Sequence, residues 1–206
     1  INNLFINNIA SGKEELFFLN TYGSLYSFDK KNFNLNWFIN FNKSINLSLS
    51  NIFMGTELVH YNNKILVSSN ENFYILDSKR GSVISKNNFS LLQRPITINN
   101  YIFLITKNNF LISLNSRDGQ IIYSYDIAQK VADFINTKKK KLEIKNIMLV
   151  NNSIFVFLKN SNVIKFDLRG EITEIIKLPS SLNSHPIIVK SSLLYLNKKN
   201  KLFIIN

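Results

Sequence analysis

An all-β fold assembled from repeated four-stranded antiparallel units, a β-propeller, follows from three features of the 206-residue sequence. Short apolar runs rich in Ile, Val, Phe and Tyr alternate with turns rich in Asn, Ser, Asp and Gly along nearly the whole chain, the pattern of strands rather than helices. One of these runs recurs in register. With Asp29, Asp77, Asn115, Asp167 and Asn206 as anchors, the residues four before are Leu25, Phe73, Leu111, Val163 and Leu202; three before stand Tyr26, Tyr74, Ile112, Ile164 and Phe203; one before stand Phe28, Leu76, Leu114, Phe166 and Ile205. Finally, the anchors lie 48, 38, 52 and 39 residues apart, a base period close to the ~40 residues of a four-stranded propeller blade. A sandwich or barrel also has strands flanked by turns, but its strands need not repeat in register.

Taken in order, the first unit (about 1–41) reads "NLFI", "LFFLN", "GSLYSFD" and "NLNWFINF". The second (52–92) carries "ELVHY", "ILVSS" and "ENFYILD"; the third (95–127) "PITI", "IFLIT", "FLISLN" and "QIIYSYDI". The fourth (146–179) has "IMLV", "IFVFL" and "SNVIKFD", and the fifth (185–206) "PIIV", "LLYLN" and "KLFIIN", reaching its anchor before any outer strand. Asn62-Asn63, Asn99-Asn100 and Asn151-Asn152 join first strands to second strands, because Asn tolerates the left-handed conformations that tight turns need. Two insertions stretch the period: a polar inter-blade loop at 42–51, and 128–145. At the head of the second, Ile127, Val131, Phe134 and Ile135 have helical spacing, which predicts a short amphipathic helix at about 127–136 followed by a basic loop.

At the anchors the sequence resembles the PQQ-type propeller repeat, roughly Ala-x-Asp-x-x-Thr-Gly-x-x-x-Trp. Asp29, Asp77, Asn115 and Asp167 fill the Asp slot, Gly81 and Gly119 the Gly slot, and Gly170 stands one place early. Trp37 fills the Trp slot, Tyr123 substitutes for it, Ser85 does not, and no unit keeps the Thr. The residues themselves suggest structural work. A carboxylate or amide caps the following turn, Gly supplies a positive φ, and an outer-strand aromatic covers the neighbouring blade. With most tryptophans gone, aliphatic packing is expected to replace the usual docking. Among such propellers the chain is most similar to BamB-like proteins, eight-bladed periplasmic lipoproteins of the outer-membrane β-barrel assembly machinery. The resemblance implies an open arc of four and a half to five blades, or part of a larger eight-bladed ring, with exposed sheet edges.

It further implies a non-catalytic interaction scaffold at the periplasmic face of the outer membrane, whose partner is the barrel-assembly machinery, reached through inter-blade loops. The segment "NFSLLQRPITI" (88–98) loosely resembles the family's partner-contacting loop and is expected to expose two leucines beside an arginine. Leu91, Leu92 and Arg94 are therefore the candidate partner-binding residues. The alternatives are a fragment of a quinone-dependent dehydrogenase and another periplasmic propeller with an unknown ligand.

Composition bounds the chemistry. The chain has no cysteine, which excludes disulfides, Cys-based zinc sites, a thiol nucleophile and the vicinal cysteine pair common in quinone-dependent enzymes. No apolar run approaches the ~20 residues of a membrane helix, and no signal peptide opens the sequence, which starts at Ile1; a removed leader or a longer parent protein is expected. Only His60 and His185 are present, at equivalent first strands and without acidic neighbours in sequence. No phosphate loop, Ser-His-Asp order, zinc spacing or acidic calcium cluster is seen, so neither catalytic residues nor a bound cofactor or metal is expected. The formal charge is +12, with most lysines scattered through turns. The run Lys138, Lys139, Lys140 and Lys141 is the exception, suited to an anionic membrane surface. No nucleic-acid motif accompanies it.

Overall fold

A computed structural model describes residues 8–42, 56–69, 71–190 and 192–205. Among them are five antiparallel sheets and one α-helix, in two compact units, 1–124 and 125–206. The first sheet is β1 (Ile9–Ser11), β2 (Glu15–Leu19), β3 (Ser24–Asp29) and β4 (Leu35–Asn40). The second is β5 (Val59–Tyr61), β6 (Lys64–Ser68), β7 (Phe73–Asp77) and β8 (Val83–Asn87). The third is β9 (Ile96–Ile98), β10 (Tyr101–Ile105), β11 (Phe110–Asn115) and β12 (Ile121–Asp126). After α1 (Ile127–Phe134) come β13 (Ile144–Val150), β14 (Ser153–Leu158), β15 (Asn162–Phe166) and β16 (Ile172–Lys177), then β17 (Ile187–Val189), β18 (Ser192–Leu196) and β19 (Leu202–Ile205). Every strand pairs with its neighbour in sequence, and the fifth sheet has three strands. The innermost strand of the first sheet is Ile9–Ser11. The expected "NLFI" strand at 3–6, most of the 42–51 loop and the Asn206 anchor lie outside the described residues.

The anchors perform one repeated job. Asp29 Oδ1 accepts from the amides of Lys31 (2.8 Å) and Asn32 (3.1 Å), and Asp77 Oδ1 from those of Lys79 (3.0 Å) and Arg80 (2.8 Å). Asn115 Oδ1 accepts from Arg117 N–H at 3.0 Å. The N–H four residues on closes each turn onto the anchor carbonyl: Phe33 to Asp29, Gly81 to Asp77 and Gly119 to Asn115, at 2.8–2.9 Å. That closing residue is left-handed, with φ of 56°, 71° and 75° in turn. Gly170 comes one place early because its turn is one residue shorter: its N–H reaches Asp167 O at 3.1 Å with φ 82°. In the first sheet Phe33 occupies the glycine position, a conformation that costs a bulky residue about 1–3 kcal/mol.

The next residue ties the turn inward. Amides of Lys30, Ser78 and Ser116 donate to carbonyls of Glu14, Asn63 and Asn100 at 2.8–2.9 Å. The Asn pairs behave as their chemistry predicts: Asn62, Asn63, Asn99, Asn151 and Asn152 all have positive φ.

A second capped turn recurs between the second and third strands. Asn20 Oδ1 caps the amides of Tyr22 and Ser24, Ser69 Oγ that of Asn72, Thr106 Oγ1 that of Phe110, and Asn197 Oδ1 those of Lys199 and Lys201, all at 2.9–3.1 Å.

Within 1–124 the sheets stack through alternating faces. The face bearing Phe17, Leu19 and Leu25 of the first sheet packs on Leu58, Ile65, Val67 and Leu76 of the second. The opposite face of the second, with Leu66, Phe73 and Ile75, packs on Ile102, Leu104, Ile112 and Leu114 of the third. Each fully buried side chain of this size contributes about 1.5–3 kcal/mol. Trp37 of β4 docks on the next blade: Nε1–H donates to Ser78 O at 3.0 Å, and a Cβ built on Gly81 would lie 2.6 Å from the indole. Tryptophan docking is therefore intact at this junction. At the next, Ser85 takes the tryptophan's place directly over Gly119, where a Cβ would lie 2.3 Å from Ser85 Oγ and 3.1 Å from Ile75 Cδ1. The expected aliphatic replacement is thus Ile75.

In 125–206, Phe157, Val163, Leu178, Leu182 and Tyr195 form the core joining the fourth and fifth sheets. Helix α1 is capped by Asp126, whose Oδ1 accepts from Ala128 N–H (2.9 Å) and Gln129 N–H (3.1 Å). Its buried residues are Ile127, Ala128 and Ala132. Phe134 and Ile135, expected on the buried stripe, are instead 49% and 50% exposed. Small alanines let the helix approach closely along a different line from the one that the large side chains mark.

Candidate functional site

The segment between β8 and β9 is a strap rather than a free loop. Lys107 N–H donates to Ser90 O (3.0 Å) and Leu92 N–H to Ile105 O (2.8 Å), so residues 90–92 extend the third sheet beside the end of β10. Leu91 bridges Thr106, and its N–H reaches Ser68 Oγ at 3.3 Å. In an extended segment consecutive side chains point to opposite faces. Leu91 accordingly enters the core between the second and third sheets, 2% exposed, while Leu92 faces outward at 36%. The expectation that both leucines are exposed is corrected: Leu92 is exposed and Leu91 is buried. Phe89 anchors the start of the strap by stacking on Phe73, with centroids 6.0 Å apart, and Pro95 is buried at its end.

Arg94 lies 3.5 Å from Glu57 Oε2, and both side chains are largely exposed. Such a pair is worth about 0–1 kcal/mol, so Arg94 can exchange partners at little cost. It borders a small polar cleft of ≈ 230 Å³ that also takes in Ser11, Glu57 and His60. His60 stacks on Phe17 at 5.5 Å, and its buried Nε2 has no hydrogen-bond partner among the described residues. Burial lowers the imidazole pKa; Glu15 opposes that shift and Lys30 adds to it. Glu15 acts on the imidazole from the neighbouring sheet. At the start of the strap, Phe89, Ser90, Thr106 and Lys107 help line a cleft of ≈ 350 Å³.

Leu91, Leu92 and Arg94 are brought together on this strap. The repeat anchors Asp29, Asp77, Asn115 and Asp167 each use Oδ1 to accept from a turn amide. Lys138, Lys139, Lys140 and Lys141 belong to the second unit and are exposed. Among the described residues no group of three or more His, Cys, Asp or Glu is placed to hold a metal ion, and no helix is long and apolar enough to cross a membrane.

No protein-family model and no curated protein matches the sequence. Solved structures do. BamB from Moraxella catarrhalis superposes with a TM-score of 0.70 at 10% identity, over 95% of this chain and 56% of that one. The computationally designed Ika8 protein gives 0.68 at 8% identity, over 96% and 57%. Quinohemoprotein alcohol dehydrogenase from Comamonas testosteroni gives 0.68 at 8%, over 97% and 41%. The chain therefore spans about half the length of these structures. A designed protein, a BamB and a dehydrogenase match almost equally, so the likeness identifies architecture and does not choose an activity. The shared architecture is the β-propeller.

Proposed function

We propose that this protein is a non-catalytic interaction scaffold that assists outer-membrane β-barrel assembly in the manner of BamB-like proteins, at the periplasmic face of the outer membrane. The observation that carries the reading is the strap. Its backbone pairing recurs in the second unit, where Leu182 bridges Asn197 and Asn183 N–H donates to Leu196 O, but the outward residue there is the polar Asn183; here the pairing on both sides of Leu91 lifts Leu92 outward next to a loosely held Arg94. A pre-ordered segment presenting one apolar and one cationic side chain is suited to a protein partner, because little ordering entropy is lost on binding. The anchors, by contrast, each commit Oδ1 to turn amides.

The test is co-purification of the full-length protein with the outer-membrane barrel-assembly protein. Leu92→Glu or Arg94→Glu is expected to abolish recovery while leaving the melting temperature unchanged. A parallel dye-reduction assay with quinone and calcium is expected to show no turnover; robust turnover would replace the scaffold reading with a dehydrogenase.

A further inference from the structure

We propose that the α1 end and the lysine run after it form a docking platform for an anionic lipid surface. Charge is unevenly divided: residues 125–206 hold 14 Lys and Arg against 6 Asp and Glu, so +8 of the +12 falls in the second unit. The helix ends in a Schellman motif, with Thr137 N–H on Ala132 O (2.9 Å), Asn136 N–H on Asp133 O (3.3 Å) and Asn136 at φ 51°. This reversal sends the chain back along the helix. Lys139 then ion-pairs with the N-cap Asp126 at 2.5 Å, which staples the basic run beside α1.

That pairing leaves a cationic excess. Glu171 is taken by Lys130, Glu143 by Lys159, and Asp133 accepts from Gln129. Among the described residues Lys138, Lys140 and Lys141 have no ion-pair partner. Immediately before them stand Phe134 and Ile135, half exposed where the helical spacing called for burial. Lysines at headgroup level with an aromatic and an aliphatic side chain reaching the acyl boundary are the two signals that interfacial anchoring combines. A nucleic acid would use the lysines and leave the isoleucine without a role. This inference is independent of the strap and its protein partner.

The full chain is incubated with vesicles of phosphatidylglycerol in phosphatidylcholine, or phosphatidylcholine alone, at low ionic strength, and bound protein is sedimented. Binding is expected on the anionic vesicles only. Each lysine contributes about fivefold, so K138Q/K140Q/K141Q is expected to weaken binding about a hundredfold. F134S/I135S is expected to weaken it about tenfold. In F134W, brominated lipid should quench the new tryptophan. No binding to anionic vesicles overturns the proposal. So does binding that ignores the lysine substitutions, or an unquenched F134W whose protein prefers a single-stranded oligonucleotide to the vesicles.

Discussion

The two junctions inside residues 1–124 solve one packing problem in opposite ways. Between the first and second blades an indole lies on Gly81 and donates to Ser78 O. Between the second and third, Ser85 touches the equivalent Gly119, and Ile75 fills the space. In both, the glycine is needed twice, once for a positive φ and once because a neighbour occupies the position of its missing Cβ. What differs is whether a large polar-tipped aromatic or direct close approach carries the contact. The repeat therefore conserves a geometry, glycine under an outer-strand side chain, more strictly than it conserves the tryptophan.

Removing the indole is the strongest way to break this comparison. Trp37→Ala is expected to cost about 3 kcal/mol, through lost burial and an unpaired Ser78 carbonyl, measured by urea unfolding. Introducing an indole at the other junction should also destabilise. Ser85→Trp places a large group where no space exists, at an expected cost of about 1–3 kcal/mol; a stabilised variant would mean that the second junction is a vacancy rather than a close fit. The smallest effect concerns the turn before the first junction. Phe33→Asn keeps φ 56° with a residue that tolerates it and is expected to stabilise by about 0.5–1 kcal/mol, visible as a raised melting temperature.

Much of the fold was legible because turn chemistry is local. Asp77 and Asn115 announce their turns through side chains that accept from amides two or three residues on, and Gly81 and Gly119 close them by donating to the anchors' main-chain carbonyls. The second turn series carries no single sequence signature, because Asn20, Ser69, Thr106 and Asn197 do the same capping with three different residue types. The candidate site was legible only as a segment. That Leu91 turns inward depends on pairing of 90–92 with the end of β10, a tertiary fact with no local signal. Likewise, Phe134 and Ile135 have the spacing of a buried stripe, yet the helix is seated by Ala128 and Ala132. His60 meets Glu15 only across blades.

The strap's backbone recurs at Leu182 and Asn183, so what sets it apart is the outward side chain, Leu92 in place of Asn183. The decisive measurement is the affinity of the full-length protein for the barrel-assembly protein, compared between wild type and Leu92→Glu at equal thermal stability. The scaffold account predicts saturable wild-type binding weakened at least about tenfold by the substitution. Equal affinity of the two proteins, or no wild-type binding, would contradict it.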